Sequence, residues 1–180
     1  QTVVRGVAAG GTAVLKADDP LVARMALHCK GTVLYFARDG SQPLLLRHRR
    51  AGGRVAFVRG QELILAAGPT EQVLLPLSRI PLTRGGQIGF QVENVLAGAA
   101  ALWALGLPLE TLAAALETFG ADLDKSPGRF NVLTINGATA VFDYGHNPSA
   151  LLAMIEALEA FPHRRRLAVY SAAGDRRDAD

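Results

Sequence analysis

A polar segment between an apolar run and a helical pattern carries the side chains best suited to chemistry. It comprises residues 143–148, with the sequence DYGHNP. Unpaired N–H groups at the start of a helix attract anions, and the helix dipole adds to that attraction. The segment therefore predicts a site where Asp143 accepts hydrogen bonds from sugar hydroxyls and His146 approaches a phosphate. In the alternative, structural interpretation, Asp143 forms a turn and Asn147 or Ser149 caps the helix.

Arg129 is a second candidate, because it ends a Pro-Gly turn and lies fourteen positions before Asp143. Predicted strands at 130–135 and 139–143 flank Asn136-Gly137, a pair typical of hairpin turns. Such a hairpin would return Arg129 and Asp143 to one edge of a sheet, where an arginine can bind phosphate. A partly exposed Arg–Asp pair is expected to contribute only about 0 to 1 kcal/mol to stability. The alternative is a solvated arginine without a ligand.

Asn94 lies within an otherwise apolar helical pattern at 92–105. An amide offers both donor and acceptor atoms, which suits the edge of an adenine base. The alternative is a core amide with partners inside the protein, since buried polar groups are nearly always hydrogen-bonded. Asn94 is therefore a candidate for adenine recognition.

The elements that would position these residues alternate between strands and helices, which predicts an α/β fold. Asp18 or Asp19 is expected to cap the first helix, with Pro20 in its first turn. Strands are expected at 3–7, 13–16, 32–36 and 167–171, helices at 21–29, 92–105, 109–119 and 149–161, and antiparallel hairpins within 44–76.

Residues 122–128 are polar and include a Pro-Gly pair, which makes them the best linker candidate in the chain. We therefore expect one domain at 1–124 and a second domain at 125–180. The second domain would open an α/β unit in which Asp175 lies just past a strand end, where such sheets bind ligands.

Composition argues against several classes of protein. The chain has 180 residues and a net charge of +3, with arginines spread along its length, which does not favour nucleic-acid binding. No apolar run approaches the roughly 20 residues that cross a bilayer, so no membrane partner is expected. Cys29 is the only cysteine, which rules out an intramolecular disulfide and fits a cytoplasmic setting. The start at Gln1 and the end after a charged turn are typical of a piece of a longer polypeptide.

Four motifs occur together in the order found in the Mur ligase family. They are FQVENVLAGAA at 90–100, PGRFN at 127–131, DYGHNPSA at 143–150 and SAAGDRRD at 171–178, and an ADDP run lies at 17–20. The chain resembles this family over essentially its whole length. The resemblance implies the end of a Mur-type central ATPase domain followed by the start of a Rossmann-like C-terminal ligase domain.

The resemblance also implies a role for each candidate in binding ATP. Asn94 matches the amide that contacts adenine. Arg129 and Asp143 match the pair that holds the ribose and the phosphates. His146 belongs to the same loop as Asp143 and is expected to take part in the same nucleotide contacts.

Asp175, with Arg176 or Arg177, matches a turn that faces the acyl phosphate or the incoming amine, so Asp175 and Arg176 are the catalytic candidates. In the implied reaction a carboxylate attacks the γ-phosphate of Mg·ATP, and an amine captures the resulting acyl phosphate. The branch of the family with the most similar motifs joins arginine to the side-chain carboxylates of poly-aspartate, and full-length members are expected to be homo-oligomers. ATP, Mg²⁺, arginine and a poly-aspartate acceptor are therefore the expected cofactors and partners.

Two features depart from the family pattern. The glycine-rich phosphate loop G-x-x-G-K-[ST] is absent from the 180 residues, as are the magnesium ligands. No residue is therefore assigned to a metal, and the chain alone is expected to be inactive. Lys16 also stands where an Asn is expected before the ADDP run. A Mur-type ligase for peptidoglycan precursors or folate remains an alternative, as does a non-catalytic nucleotide-binding module.

Overall fold

The computed structural model describes residues 2–171, and the chain divides into two compact units, 1–119 and 120–180. The strands of unit 1 are β1 (Thr12–Lys16), β2 (Thr32–Asp39), β3 (Arg54–Arg59), β4 (Glu62–Ala67) and β5 (Thr70–Pro76). Its α-helices are α1 (Thr2–Arg5), α2 (Pro20–Arg24), α3 (Pro43–Arg50), α4 (Gly89–Ala104) and α5 (Leu109–Thr118). Single 3-10 turns lie at Met25–His28, Leu77–Arg79 and Pro81–Thr83.

The strands of unit 1 form one sheet in the order β1-β2-β3-β4-β5. The β1–β2 and β2–β3 pairs are parallel, whereas β3, β4 and β5 form antiparallel hairpins. Parallel neighbours cannot be joined by a tight turn, so α2 and α3 supply the crossover connections. The predicted α/β fold class is therefore confirmed, together with hairpins in the second half of the 44–76 region.

Two elements of unit 1 differ from the prediction. Residues 43–50 form α3 rather than part of a hairpin, because the Gln42 side chain caps it by accepting hydrogen bonds from the amides of Leu44 and Leu45 at 2.6 and 3.0 Å. The predicted strand at 3–7 is wrong as well, since Thr2–Arg5 is a helical turn. Its Val4 side chain is buried in the core, which a single helical turn achieves without a neighbouring strand.

Other local predictions for unit 1 are confirmed. Asp19 caps α2, and its Oδ1 accepts hydrogen bonds from the amides of Leu21 and Val22 at 2.8 and 3.0 Å. Helix α4 is followed by Gly106, whose φ of +84° matches the expected glycine at a helix C-terminus. The apolar face of α4 packs into the core of the unit through Val92, Val95, Leu96, Ala99 and Ala100.

Unit 2 contains a hairpin, β6 (Asn131–Ile135) and β7 (Ala138–Phe142), followed by helix α6 (Pro148–Leu158). Asn136 and Gly137 form the connection with φ values of +49° and +78°, as an Asn-Gly hairpin turn requires. The predicted strand at 167–171 is wrong: the structure assigns no strand to these described residues. A strand needs a hydrogen-bonded neighbour, and Leu167 and Val169 are instead 84% and 93% exposed.

Within residues 2–171, no helix has both the length and the apolar character that crossing a bilayer requires.

His48 on α3 should make unit 1 sensitive to mild acid. Its Nε2–H donates to the Val33 carbonyl oxygen at 3.0 Å, and its ring lies perpendicular to that of Tyr35 at 4.9 Å between centroids. Burial lowers the pKa of His48 below its ordinary 6.5. The hydrogen bond to Val33 raises the pKa, but by less than burial lowers it. The unfolded state therefore takes up the proton first, and stability is lost as pH falls below about 6.5.

Denaturant midpoints measured from pH 7.5 down to pH 5 test this prediction. We expect the midpoint to fall across this range in the original chain and to fall less in His48→Gln, with His28→Gln behaving like the original. Hydrogen bonds from Arg59 and Arg49 lower the pKa of Glu71 below 4.5, so its contribution is lost only at more acid pH. Parallel midpoint curves for the original chain and His48→Gln would contradict the prediction.

Candidate functional site

The two ends of the β6–β7 hairpin bring the PGRFN and DYGHNP segments together. Asn131 is paired with Phe142 in the hairpin register, so the residues just outside this pair are neighbours. The Phe130 amide donates to Asp143 Oδ2 at 2.9 Å, and the Tyr144 amide donates to the Gly128 carbonyl oxygen at 2.9 Å. Residues far apart in sequence therefore form one compact loop cluster in unit 2.

Asp143 is partly exposed, and its carboxylate is held by the backbone. Besides the Phe130 amide, it accepts a hydrogen bond from the Gly145 amide at 2.6 Å through Oδ1. Phe130 has φ of +54°, a conformation that non-glycine residues rarely adopt, and the Asp143 contact helps to hold it. The turn-forming role considered for Asp143 is therefore present, and each oxygen keeps lone pairs for a further donor.

Arg129 lies at the same end of the hairpin as Asp143, as the spacing predicts. Its side chain is exposed, and its guanidinium carbon lies 5.7 Å from the centre of the Tyr144 ring. Within the described residues, no ion pair joins Arg129 to Asp143. Its Nη1 donates to the Gly128 carbonyl oxygen at 3.4 Å, and its other N–H groups have no partner among the described residues, so they can donate to an anion.

Asn131 is a central residue of this loop cluster that the sequence analysis did not single out. Its side chain is fully buried, and its Oδ1 accepts hydrogen bonds from the amides of Gly128 and Arg129 at 2.6 and 3.3 Å. Its Nδ2 donates to the carbonyl oxygens of Ala121 and Ser126 at 2.9 and 3.0 Å. One side chain therefore fixes the backbone that carries Arg129.

The DYGHNP segment ends in a capped helix. Asn147 Oδ1 accepts hydrogen bonds from the Ala150 amide at 2.8 Å and the Ser149 hydroxyl at 2.7 Å, so the capping interpretation is right for Asn147. His146 is partly exposed, with Nδ1 at 3.1 Å from the Tyr144 carbonyl oxygen. A carbonyl oxygen only accepts, so Nδ1–H is the donor of this hydrogen bond, and Nε2 is the ring nitrogen that can contact a ligand.

Asn94, on α4 of unit 1, is exposed, so the core-amide interpretation is wrong for this residue. Its Nδ2 donates to Gln91 Oε1 at 3.1 Å, and Gln91 is the buried amide of the helix, with 5% exposure. The Asn94 oxygen and one N–H therefore remain for a ligand. Asp175 and Arg176, the predicted catalytic pair, lie outside the described residues.

Comparisons with known proteins agree with the motifs. Residues 128–180 match the family described as Mur ligase, glutamate ligase domain. The chain is 34% identical over 178 residues to cyanophycin synthetase from Crocosphaera subtropica, across 99% of this chain and 20% of that protein. It is 32% identical over 177 residues to UDP-N-acetylmuramoyl-L-alanyl-D-glutamate–2,6-diaminopimelate ligase from Zymomonas mobilis, across 94% of this chain and 32% of that protein.

A solved structure, MurF from Acinetobacter baumannii, has the same fold, with a TM-score of 0.58 and 19% identity over 89% of this chain and 32% of that chain. The chain belongs to the Mur ligase family. Within this family it is similar to cyanophycin synthetases, and it spans about a fifth of their length, 20% in the Crocosphaera protein.

Proposed function

We propose that this chain is part of an ATP-dependent ligase of the cyanophycin synthetase type, which joins the α-amine of arginine to aspartate side-chain carboxylates. The main support is identity of 34% to a cyanophycin synthetase over nearly the whole chain. The loop cluster of unit 2 adds physical support, because an exposed cation and a carboxylate lie together beside a helix N-terminus. Unit 1 would be the end of the central domain, and unit 2 the start of the C-terminal domain.

In the proposed reaction, a side-chain carboxylate of the acceptor attacks the γ-phosphorus of ATP, and the bond to the β,γ-bridging oxygen breaks to release ADP. The arginine α-amine then attacks the carbonyl carbon of the acyl phosphate and loses a proton, the bond from that carbon to the phosphate oxygen breaks, and an amide bond and free phosphate form. Mg²⁺ bound with ATP would neutralise phosphate charge, and its ligands are expected outside this chain. Positioning and charge neutralisation dominate such catalysis, so polar and cationic groups that hold the nucleotide would contribute to it.

We assign the adenine contact to Asn94, which is exposed and whose oxygen and one N–H have no partner among the described residues. Arg129 is assigned to phosphate and Asp143 to the ribose hydroxyls, with His146 beside them. Asp175 and Arg176 are proposed to face the acyl phosphate or the amine. The proposal includes the cytoplasmic location and the homo-oligomeric assembly that the sequence analysis expects of the full-length protein.

The test uses the full-length protein that carries this chain, incubated with ATP, arginine and an aspartate-containing acceptor. We expect ADP release that depends on both arginine and the acceptor, and a mass increase of one arginine per modified aspartate.

A peptidoglycan-type ligase is the second candidate, favoured by the 32% identity to a diaminopimelate ligase. ADP release with diaminopimelate and a muramoyl dipeptide, and none with arginine, would support that candidate instead. No ADP release with either set would favour the non-catalytic module.

Asn94→Ala should weaken ATP binding in the full-length protein. Loss of the amide removes contacts to the base that are equal in ground and transition states, so the KM for ATP should rise at least about fivefold with kcat nearly unchanged. Gln87→Ala removes another exposed amide of unit 1 and is the matched control. An unchanged KM for ATP in a folded Asn94→Ala protein would remove Asn94 from the site.

A further inference from the structure

Lys16, the last residue of β1, forms an ion pair with α4. Its Nζ lies 2.8 Å from Glu93 Oε2 and 3.8 Å from Asp18 Oδ1. The Lys16 and Glu93 side chains are 31% and 30% exposed, so water screens the pair only partly. Glu93 immediately precedes Asn94 in α4, so the ion pair is one residue away in sequence from the proposed adenine contact.

The ion pair lies at the edge of the sheet where α/β proteins bind ligands. Strands β1, β2 and β3 run parallel, and their carboxyl ends meet at this edge. Asp18 and Glu93 line a concave cleft of about 510 Å³ there, together with Arg38, Asp39 and Gln61. Of the Lys16–Glu93 pair only Glu93 lines this cleft, and Asn94 does not line it.

The remaining contacts of α4 are mostly apolar. Val92, Val95 and Leu96 are buried in the core of the unit and hold α4 on the sheet by close packing. The Lys16–Glu93 hydrogen bond at 2.8 Å adds a directed polar contact to this packing, on the residue before Asn94. A partly exposed ion pair adds little to stability, so its main effect is geometric.

We propose that Lys16 is a positioning residue, which holds α4 through Glu93 so that Asn94 presents its amide to the adenine base of ATP. The proposal rests on the proposed function for its role in ATP binding. Lys16 itself does not contact the nucleotide. The pairing also explains how a lysine is accommodated at the position where the family resemblance leads one to expect an Asn.

Kinetics of the full-length protein test the proposal with Lys16→Met, Glu93→Gln, the double variant and Lys16→Arg. Both single variants should raise the KM for ATP about three- to fivefold with kcat nearly unchanged, the size expected from losing one partly exposed ion pair. The double variant should be no worse than either single variant, and Lys16→Arg should restore the KM. Arg79→Met breaks another ion pair of unit 1, with Glu117, and is the matched control.

A KM unchanged in both single variants would overturn the proposal. A large loss of kcat in Lys16→Met with none in Glu93→Gln would also overturn it, because Lys16 would then act on the phosphates directly. NMR of the 180-residue chain separates this proposal from the proposed function, since it needs no ATP. We expect the Asn94 side-chain amide signals to shift in Lys16→Met and in Glu93→Gln but not in Arg79→Met. Unshifted signals would refute the positioning role whatever reaction the protein performs.

Discussion

Replacement of Asn131 by Asp is expected to unfold unit 2 under conditions in which the original chain is folded. The two side chains have nearly the same shape, so the change tests hydrogen bonding rather than packing. Asp keeps an acceptor for the amides of Gly128 and Arg129, but it removes the two N–H donors that satisfy Ala121 and Ser126. An oxygen would then face two carbonyl oxygens in a fully buried position.

The expected loss is about 3 to 5 kcal/mol, because each buried polar group left unpaired costs about 1 to 3 kcal/mol. Unit 2 has 61 residues, from 120 to 180, and domains of this size are marginally stable. Hydrogen exchange of the amides in β6 and β7 measures the effect, and their protection should be lost in Asn131→Asp.

Asn136→Asp is the matched control for this experiment. It makes the same chemical change in the same hairpin, but Asn136 is exposed at the turn. Aspartate tolerates the positive φ of that position, so protection should be nearly unchanged. Retained protection in Asn131→Asp would show that the loop cluster does not depend on the Asn131 donors.

Local signals in the sequence predict much of the fold. The Asn136-Gly137 turn, the Asp19 cap and the glycine after α4 each follow from the chemistry of one or two residues. Helix α3 was missed because its cap is a glutamine, which is uncommon at that position, and because the next residues are rich in arginine and glycine. Helix α3 is the crossover that allows β2 and β3 to pair in parallel. This parallel pairing therefore could not be deduced from a sequence in which α3 was not predicted.

In the candidate site, too, some features follow from local sequence and others depend on tertiary contacts. The meeting of Arg129 and Asp143 follows from a hairpin of known turn type, and the structure has them at the same end. The role of Asn131 depends on carbonyl groups of Ala121 and Ser126, which are brought to it only when the loop folds back. A buried amide at the start of a strand gives no periodic signal, so sequence patterns could not identify it.

Replacement of Arg129 by Ala should cut ligase turnover of the full-length protein at least about tenfold, which corresponds to about 1.4 kcal/mol of transition-state stabilisation. Its guanidinium is exposed and stacks on Tyr144, so the melting temperature should hardly change. Arg129→Lys should recover only part of the activity, since an ammonium group lacks the paired donors that match phosphate. Arg164→Ala removes another exposed arginine of unit 2 and should have no effect.

Asp143→Ala should differ from Arg129→Ala, because the Asp143 carboxylate holds the amides of Phe130 and Gly145. The sequence predicts only a weak contribution of the Arg129–Asp143 pair to stability, whereas the structure adds these two hydrogen bonds to the backbone. We therefore expect a lower melting temperature as well as a loss of turnover. Turnover must therefore be measured at a temperature where each variant is folded, with circular dichroism as the check. If both residues serve one nucleotide, the double variant should lose less turnover than the product of the single losses. Full turnover in folded Arg129→Ala and folded Asp143→Ala would leave the loop cluster with a structural role alone.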